Sequence, residues 1–162
     1  IGGRSFNSAR VNREYMVDGH CPWLVASKLS AEREYKALVA LHPKVSVPLP
    51  IIQNRHTVVM SLIHGANLNR CILEAPAAVL DEILENVRIT YKEGIIHADL
   101  SEYNILMEDG RCVIIDWPQW IETAHPNAEV TLHRDIDNIL TYFKRKYKLK
   151  YNREDAIQCV TG

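Results

Sequence analysis

The sequence predicts an α+β fold, and three features carry that prediction. Apolar residues recur at helical spacing in three separated segments. Two β-rich runs, VPLPIIQN and HTVVMSLI, flank a short polar turn. A third such stretch, NILMEDGRCVIID, folds back on itself around Glu-Asp-Gly-Arg. The chain has 162 residues, enough for one domain with a proper core and too few for two large ones. Its 47% apolar and 24% charged residues are ordinary for a globular protein.

The elements follow in order. The opening IGGRSFNSARVNREY, with paired glycines and Arg4, Arg10 and Arg13, reads as a mobile, disordered loop. CPWLVASKLSAEREYKALVALH turns helical: Ala31, Tyr35, Leu38 and Val39 fall on one face, and Pro22 sits near the first turn. HPKVSVPLP stops that helix, because each proline bars helical backbone for itself and its predecessor. The two strand-like runs come next, joined by Gln53-Asn54-Arg55 and ended by Gly65 and Asn67. A second helix covers PAAVLDEILENVRITYKEG, with Leu80, Ile83, Leu84, Val87 and Tyr91 along one stripe and Gly94 as its C′ residue. After the hairpin, a last helix covers EVTLHRDIDNILTYFKRKY, where Leu132, Ile136, Ile139, Leu140 and Phe143 recur at helical spacing. No internal repeat or low-complexity tract interrupts this order.

Several classes of function find no support. A net charge of −1 supplies no global attraction to nucleic acid or membrane, so any such partner needs a local patch. No apolar run approaches the roughly 20 residues that span a bilayer, and no signal-peptide pattern is present. Cys21, Cys71, Cys112 and Cys159 lie far apart without a C-x-x-C pair, which suggests neither a zinc site nor a disulfide framework. Reduced thiols in a cytoplasmic protein with no membrane association are the expectation.

The chemistry concentrates in GIIHADLSEYNILMEDGRCVIIDWPQW. Asp99 ends a loop and can face a hydroxyl about to lose its proton, while Asn104 and Asp116 converge from the two ends of the hairpin. Carboxylate and amide oxygens suit Mg2+, which keeps its waters and takes one or two protein ligands beside phosphate oxygens. H-x-D-x-x-x-x-N followed by a hairpin ending in I-I-D is the division of labour of kinase-like phosphoryl transfer.

HADLSEYN, then IIDWPQW, then ETAHPNAEVTLHRDIDNILTYFKRKY, closely resemble the RIO kinases and among them the RIO2 branch. Upstream, GRSF, AEREYKAL, VSVPLP and RHTVVMSLI resemble RIO2 segments in the same order. The resemblance implies a protein-kinase-like, two-lobed fold without the activation loop and substrate-docking helices of ordinary kinases. Residues 1–63 would form a partial N-lobe and 64–162 the C-lobe, with the family's winged helix, nucleotide-binding loop and β3 lysine falling upstream of Ile1.

Carried over by position, Asp99 resembles the catalytic base, and Asn104 and Asp116 the metal ligands. Glu34 resembles the helix glutamate that pairs with the nucleotide lysine, with Glu32 as the fallback. Met60, Ser61, Leu62 and Ile63 match the hinge. There the backbone of Ser61 and Ile63 would meet adenine, and Leu106 would pack under the ring. His97 would brace the catalytic loop, and Asp135 would hold its backbone or simply place a charge near a helix start. Ala98 replaces the catalytic-loop arginine of ordinary kinases, so a phosphate-gated activation loop has no anchor.

The resemblance further implies ATP and Mg2+, with Mn2+ as a substitute, and a role in maturing the small ribosomal subunit beside its precursor and rRNA. KRKYKLKYNR, at 144–153, interleaves cations with Tyr147 and Tyr151. It could track RNA or be a solvated helix end whose cations complement the dipole. Two rivals stand beside this reading. One is a small-molecule phosphotransferase of the aminoglycoside or choline type, which shares H-x-D-x-x-x-x-N and I-D-W. The other is a non-catalytic assembly factor that uses nucleotide only to set its conformation.

Overall fold

A computed structural model describes residues 23–162. The arginine-bearing loop at the start and Pro22 lie outside the described residues. Helix α1 spans Trp23–Leu41 and leads into a hairpin of β1 (Pro50–Asn54) and β2 (Thr57–Met60). β3 (Ala66–Asn67) and a single 3-10 turn, Leu68–Arg70, precede α2 (Pro76–Lys92) and β4 (Ile95–Ile96). The chain continues through β5 (Ile105–Glu108), β6 (Arg111–Ile114), β7 (Ile121–Glu122), α3 (Ala128–Tyr147) and α4 (Arg153–Thr161). All pairings are antiparallel: β1 with β2, β5 between β3 and β6, and β4 with β7.

The local reasons are visible residue by residue. Asp109 and Gly110, at φ 49° and 80°, make the two-residue turn of the β5–β6 hairpin, where Asp-Gly matches the strand twist. Gln53 and Asn54, expected in a turn, instead pair with Val58 and Thr57, and Arg55 takes the positive φ of 52° in a tighter loop. α2 begins with Pro76 and closes on Gly94 at φ 82°, whose N–H reaches Tyr91 O at 3.0 Å.

The core lies where α2, α3 and the β5–β6 hairpin meet. Leu80, Ile83, Leu84 and Val87 of α2 are buried, as are Leu132, Ile136, Ile139 and Phe143 of α3. They close over Ile105, Ile114 and Trp117. Tyr91 and Leu140 are only half-buried. α1 differs from expectation: Val39 is exposed and Ala37 is buried with Leu38 and Leu41. Apolar side chains occur on several sides of the helix, interspersed with Lys28, Glu32, Arg33, Glu34 and Lys36, so spacing alone does not choose its inner face. α4 is an addition. Asn152 accepts from the Glu154 N–H at 2.9 Å as its N-cap, and Ala156 and Val160 bury one short face.

Part of the basic stretch at 144–153 has a structural use. Lys146 Nζ donates to Asn69 O at 2.9 Å and Cys71 O at 2.7 Å, and lies 5.5 Å from the ring centres of both Tyr142 and Tyr147. Tyr147 donates to Cys71 O at 3.1 Å, and Arg153 forks onto Asp137. These groups tie helix ends together, while Lys144, Arg145, Lys148, Lys150 and Tyr151 stay exposed.

Candidate active site

The site is assembled around a backbone loop between β4 and β5 that buried side chains hold from behind. Asp135, only 1% exposed in the second turn of α3, accepts from Ala98 N–H at 2.7 Å and Leu100 N–H at 3.3 Å. Arg134 donates to Ala98 O, and Asn138 donates to Leu100 O at 3.1 Å. Ala98 sits at φ 67°, a left-handed conformation that these bonds stabilise around it. Asp135 is therefore no simple helix-start charge. It fixes the loop on both sides of Asp99 and leaves that carboxylate exposed.

His97 braces the same loop from the other direction. Its Nδ1 accepts from Asp99 N–H at 3.3 Å, its Nε2 lies 3.0 Å from Ile115 O, and its ring meets Trp117 at 4.5 Å between centroids. Accepting at Nδ1 and donating at Nε2 is the neutral tautomer. Burial enforces that state by pushing the His97 pKa down to about 4. Burial likewise pushes the Asp135 carboxyl up to about 6, against the opposing effects of the two N–H donors and Arg134.

The hairpin then brings in the other oxygens. Asn104 Nδ2 donates to Asp99 O at 2.8 Å and lies 3.5 Å from Asp99 Oδ2, while Ile115 N–H reaches Asn104 O at 3.0 Å. Asn104 is thereby joined to Asp99 on one side and to the residue before Asp116 on the other. Asp116 is exposed at φ 69°, at the open end of the hairpin. Glu34 approaches from α1. The Trp117 backbone hydrogen-bonds to it, and burial followed by the nearby Asp116 charge raises its pKa above the usual carboxylate range. Glu32, the fallback, is paired at 3.6 Å with Lys28 on the helix surface.

The remaining expected residues line the segment after β2. Ser61 N–H donates to Leu49 O at 2.9 Å and its hydroxyl accepts from Leu49 N–H at 2.9 Å, which commits the Ser61 amide. Met60 is half-buried against the core, and Ile63 is half-buried beyond it. Leu106 pairs with Asn67 and Val113 in the middle of its sheet. Asn104 and Asp116 offer a neutral and an anionic oxygen, the donor set of a hard cation. Among the described residues no three His, Cys, Asp or Glu side chains converge tightly enough to hold a metal by themselves. A cation here would need further oxygens, as phosphates supply for Mg2+.

Two residues outside the expected set belong to the same neighbourhood. Arg33 and Trp120 bond each other's backbone across the gap between α1 and the segment after Asp116. Nothing in their spacing marks them, since the partners are carbonyls 87 positions away.

Helix α1 against a small antiparallel sheet, a linking segment, and a helical part carrying the loop and hairpin make a protein-kinase-like fold. The particular family is equally plain: residues 2–156 match the RIO domain model, and the chain belongs to that family. It is 44% identical over 162 residues to the RIO-type serine/threonine-protein kinase Rio2 of Methanocaldococcus jannaschii, covering 95% of this chain and 59% of that relative. To the serine/threonine-protein kinase rio2 of Schizosaccharomyces pombe it is 33% identical, covering 93% of this chain and 45% of the relative. Among solved structures, the Rio2 kinase-ADP/Mg2+-phosphoaspartate complex from Chaetomium thermophilum superposes with a TM-score of 0.77 at 29% identity. That match covers 99% of this chain and 51% of the other. The chain thus spans about half the length of the relatives it matches, and the RIO match favours this family over the aminoglycoside- and choline-type phosphotransferases.

Proposed function

We propose that the chain is the ATP- and Mg2+-binding part of a RIO2-type serine/threonine kinase or ATPase. Residues 1–63 would contribute to the N-lobe and 64–162 would form the C-lobe. The observation that carries the proposal is Asn104, bonded to Asp99 and to the residue preceding Asp116. On this reading the braced loop would present one carboxylate to the acceptor and two oxygens to a metal. A Mg2+ held by Asn104 and Asp116, or Mn2+ in its place, would neutralise charge on the phosphates. Adenine would lie against Met60 and Leu106, reading the Ser61 carbonyl and the Ile63 amide.

Asp99 is the group placed to accept a proton from an attacking hydroxyl, of serine or of water. A carboxylate acceptor needs no such base: its oxygen bonds to the γ-phosphorus as the bond to ADP breaks, and no proton moves. The phosphoaspartate in the Chaetomium thermophilum complex supports including an aspartate of this chain among the acceptors. A place in small-subunit maturation, beside its precursor and rRNA in the cytoplasm, follows from the RIO2 resemblance alone.

The test is ATP hydrolysis and nucleotide binding by Asp99→Ala against the parent. The reading expects hydrolysis to fall by about 100-fold or more, in line with loss of a general base, with nucleotide affinity largely kept. Hydrolysis at the parent rate would remove Asp99 from the mechanism.

A further inference from the structure

The structure ties α1 to the segment following Asp116 through one reciprocal contact. Arg33 Nε donates to Pro118 O at 2.9 Å, and its terminal nitrogen donates to Trp120 O. In return, Trp120 Nε1 donates to Arg33 O at 2.9 Å, and the guanidinium lies 5.1 Å from the centre of the indole. Trp120 is 8% exposed, so these bonds form in a partly dry setting where they exclude competing water. Arginine suits the position because its rigid fork reaches two carbonyls at once while its face stacks on the ring.

The contact sits one residue from Glu34 along α1 and spans 118–120, beginning two residues beyond Asp116. Glu34 itself takes a hydrogen bond from the Trp117 backbone and lies near the Asp116 charge. The Arg33–Trp120 contact therefore ties α1 to the segment after Asp116 at the place where Glu34 and Asp116 come near each other.

We propose that Arg33 and Trp120 form a staple that holds α1 against the segment after Asp116 and sets the Asp116 carboxylate for its cation. They are positioning residues that act through Asp116 and touch neither metal nor nucleotide. The staple does constitutively what an ordinary kinase obtains from a phosphorylated loop, for which this chain has no arginine at Ala98. This inference rests on the Mg2+-nucleotide reading of the site.

The test titrates Mg2+ into the protein with ATP present and follows nucleotide binding and thermal unfolding in parallel. Arg33→Ala should raise the Mg2+ needed for half-maximal binding about tenfold, as loss of a ligand-orienting partner does. Metal-free nucleotide binding should be unchanged. Arg33→Lys, which keeps the charge but not the fork, should recover only part of the loss, and Trp120→Phe should fall between parent and Arg33→Ala. A lower unfolding temperature with the parent Mg2+ midpoint would make the staple merely stabilising and overturn the proposal. A parent whose nucleotide binding ignores both Mg2+ and Asp116→Ala would instead overturn the site reading and the staple with it.

Discussion

Asp135 and His97 are buried on two sides of the backbone they hold, and their titrations act in opposite directions. Asp135 has a folded pKa of about 6 against an ordinary 3.8, so the folded state holds its proton more tightly. Its contribution to stability is full below 3.8 and is lost as pH rises through 6. His97 has a folded pKa of about 4 against 6.5, so its contribution is full above 6.5 and is lost as pH falls through 4. The two slopes offset each other across the shared window. Asp135→Asn should therefore unmask the histidine, with unfolding free energy rising by about 2–3 kcal/mol as pH goes from 4 to 6.5. His97→Gln should show a fall of similar size. Urea denaturation at three pH values measures both, and parent-like flat profiles in the two variants would contradict the assignment. At this scale the sequence was legible wherever chemistry demands a fixed spacing. Asp99, Asn104 and Asp116 share one loop and hairpin, as their spacing led one to expect. Arg33 and Trp120 stayed hidden because backbone carbonyls carry no residue identity, so their partners leave no pattern.

Among the elements, the hairpin β5–β6 does most to place the site, and its junction with β3 is tight. A Cβ on Gly65 would stand 2.3 Å from Met107 O, a backbone atom that cannot swing aside. Gly65→Ala should push the segment after β2 away from β5 and destabilise the fold by about 1–3 kcal/mol, as overpacking does. It should also weaken ATP binding, because Ile63 and Leu106 lie on the two sides of that junction. Calorimetry and nucleotide titration check the pair of effects, and full stability with full affinity would contradict it. The Asp-Gly turn, Gly94 and the α2 and α3 stripes were readable from sequence because each states a backbone or periodic demand. The short pairs β3–β5 and β4–β7 were not, since two-residue strands have no periodicity. α4 was obscured because its capping Asn152 lies inside a run that reads as basic charge.

Over the whole molecule, exposed apolar side chains are spread over several elements, Ile72, Leu62 and Val130 among them. Leu49, Ile51, Ile52 and Val59 face solvent on β1–β2 and the loop before them, and Trp23, Leu24 and Val25 do so at the start of α1. The inner body of α2, α3 and the β5–β6 hairpin is closed, and no helix among the described residues is long and apolar enough to cross a membrane. The fold class and element order were accessible from periodicity, whereas the exposed face of β1–β2 was not, because alternation cannot tell a covered face from a bare one. The proposed nucleotide site is closed by a cation between Asn104 and Asp116. Equilibrium binding of ATP with and without Mg2+, on the parent and on Asp116→Ala, tests it most directly. Mg2+ should tighten parent binding by about tenfold or more, at least about 1.4 kcal/mol, and the variant should lose this gain while still binding weakly. An Asp116→Ala variant that keeps the full Mg2+ effect would contradict it.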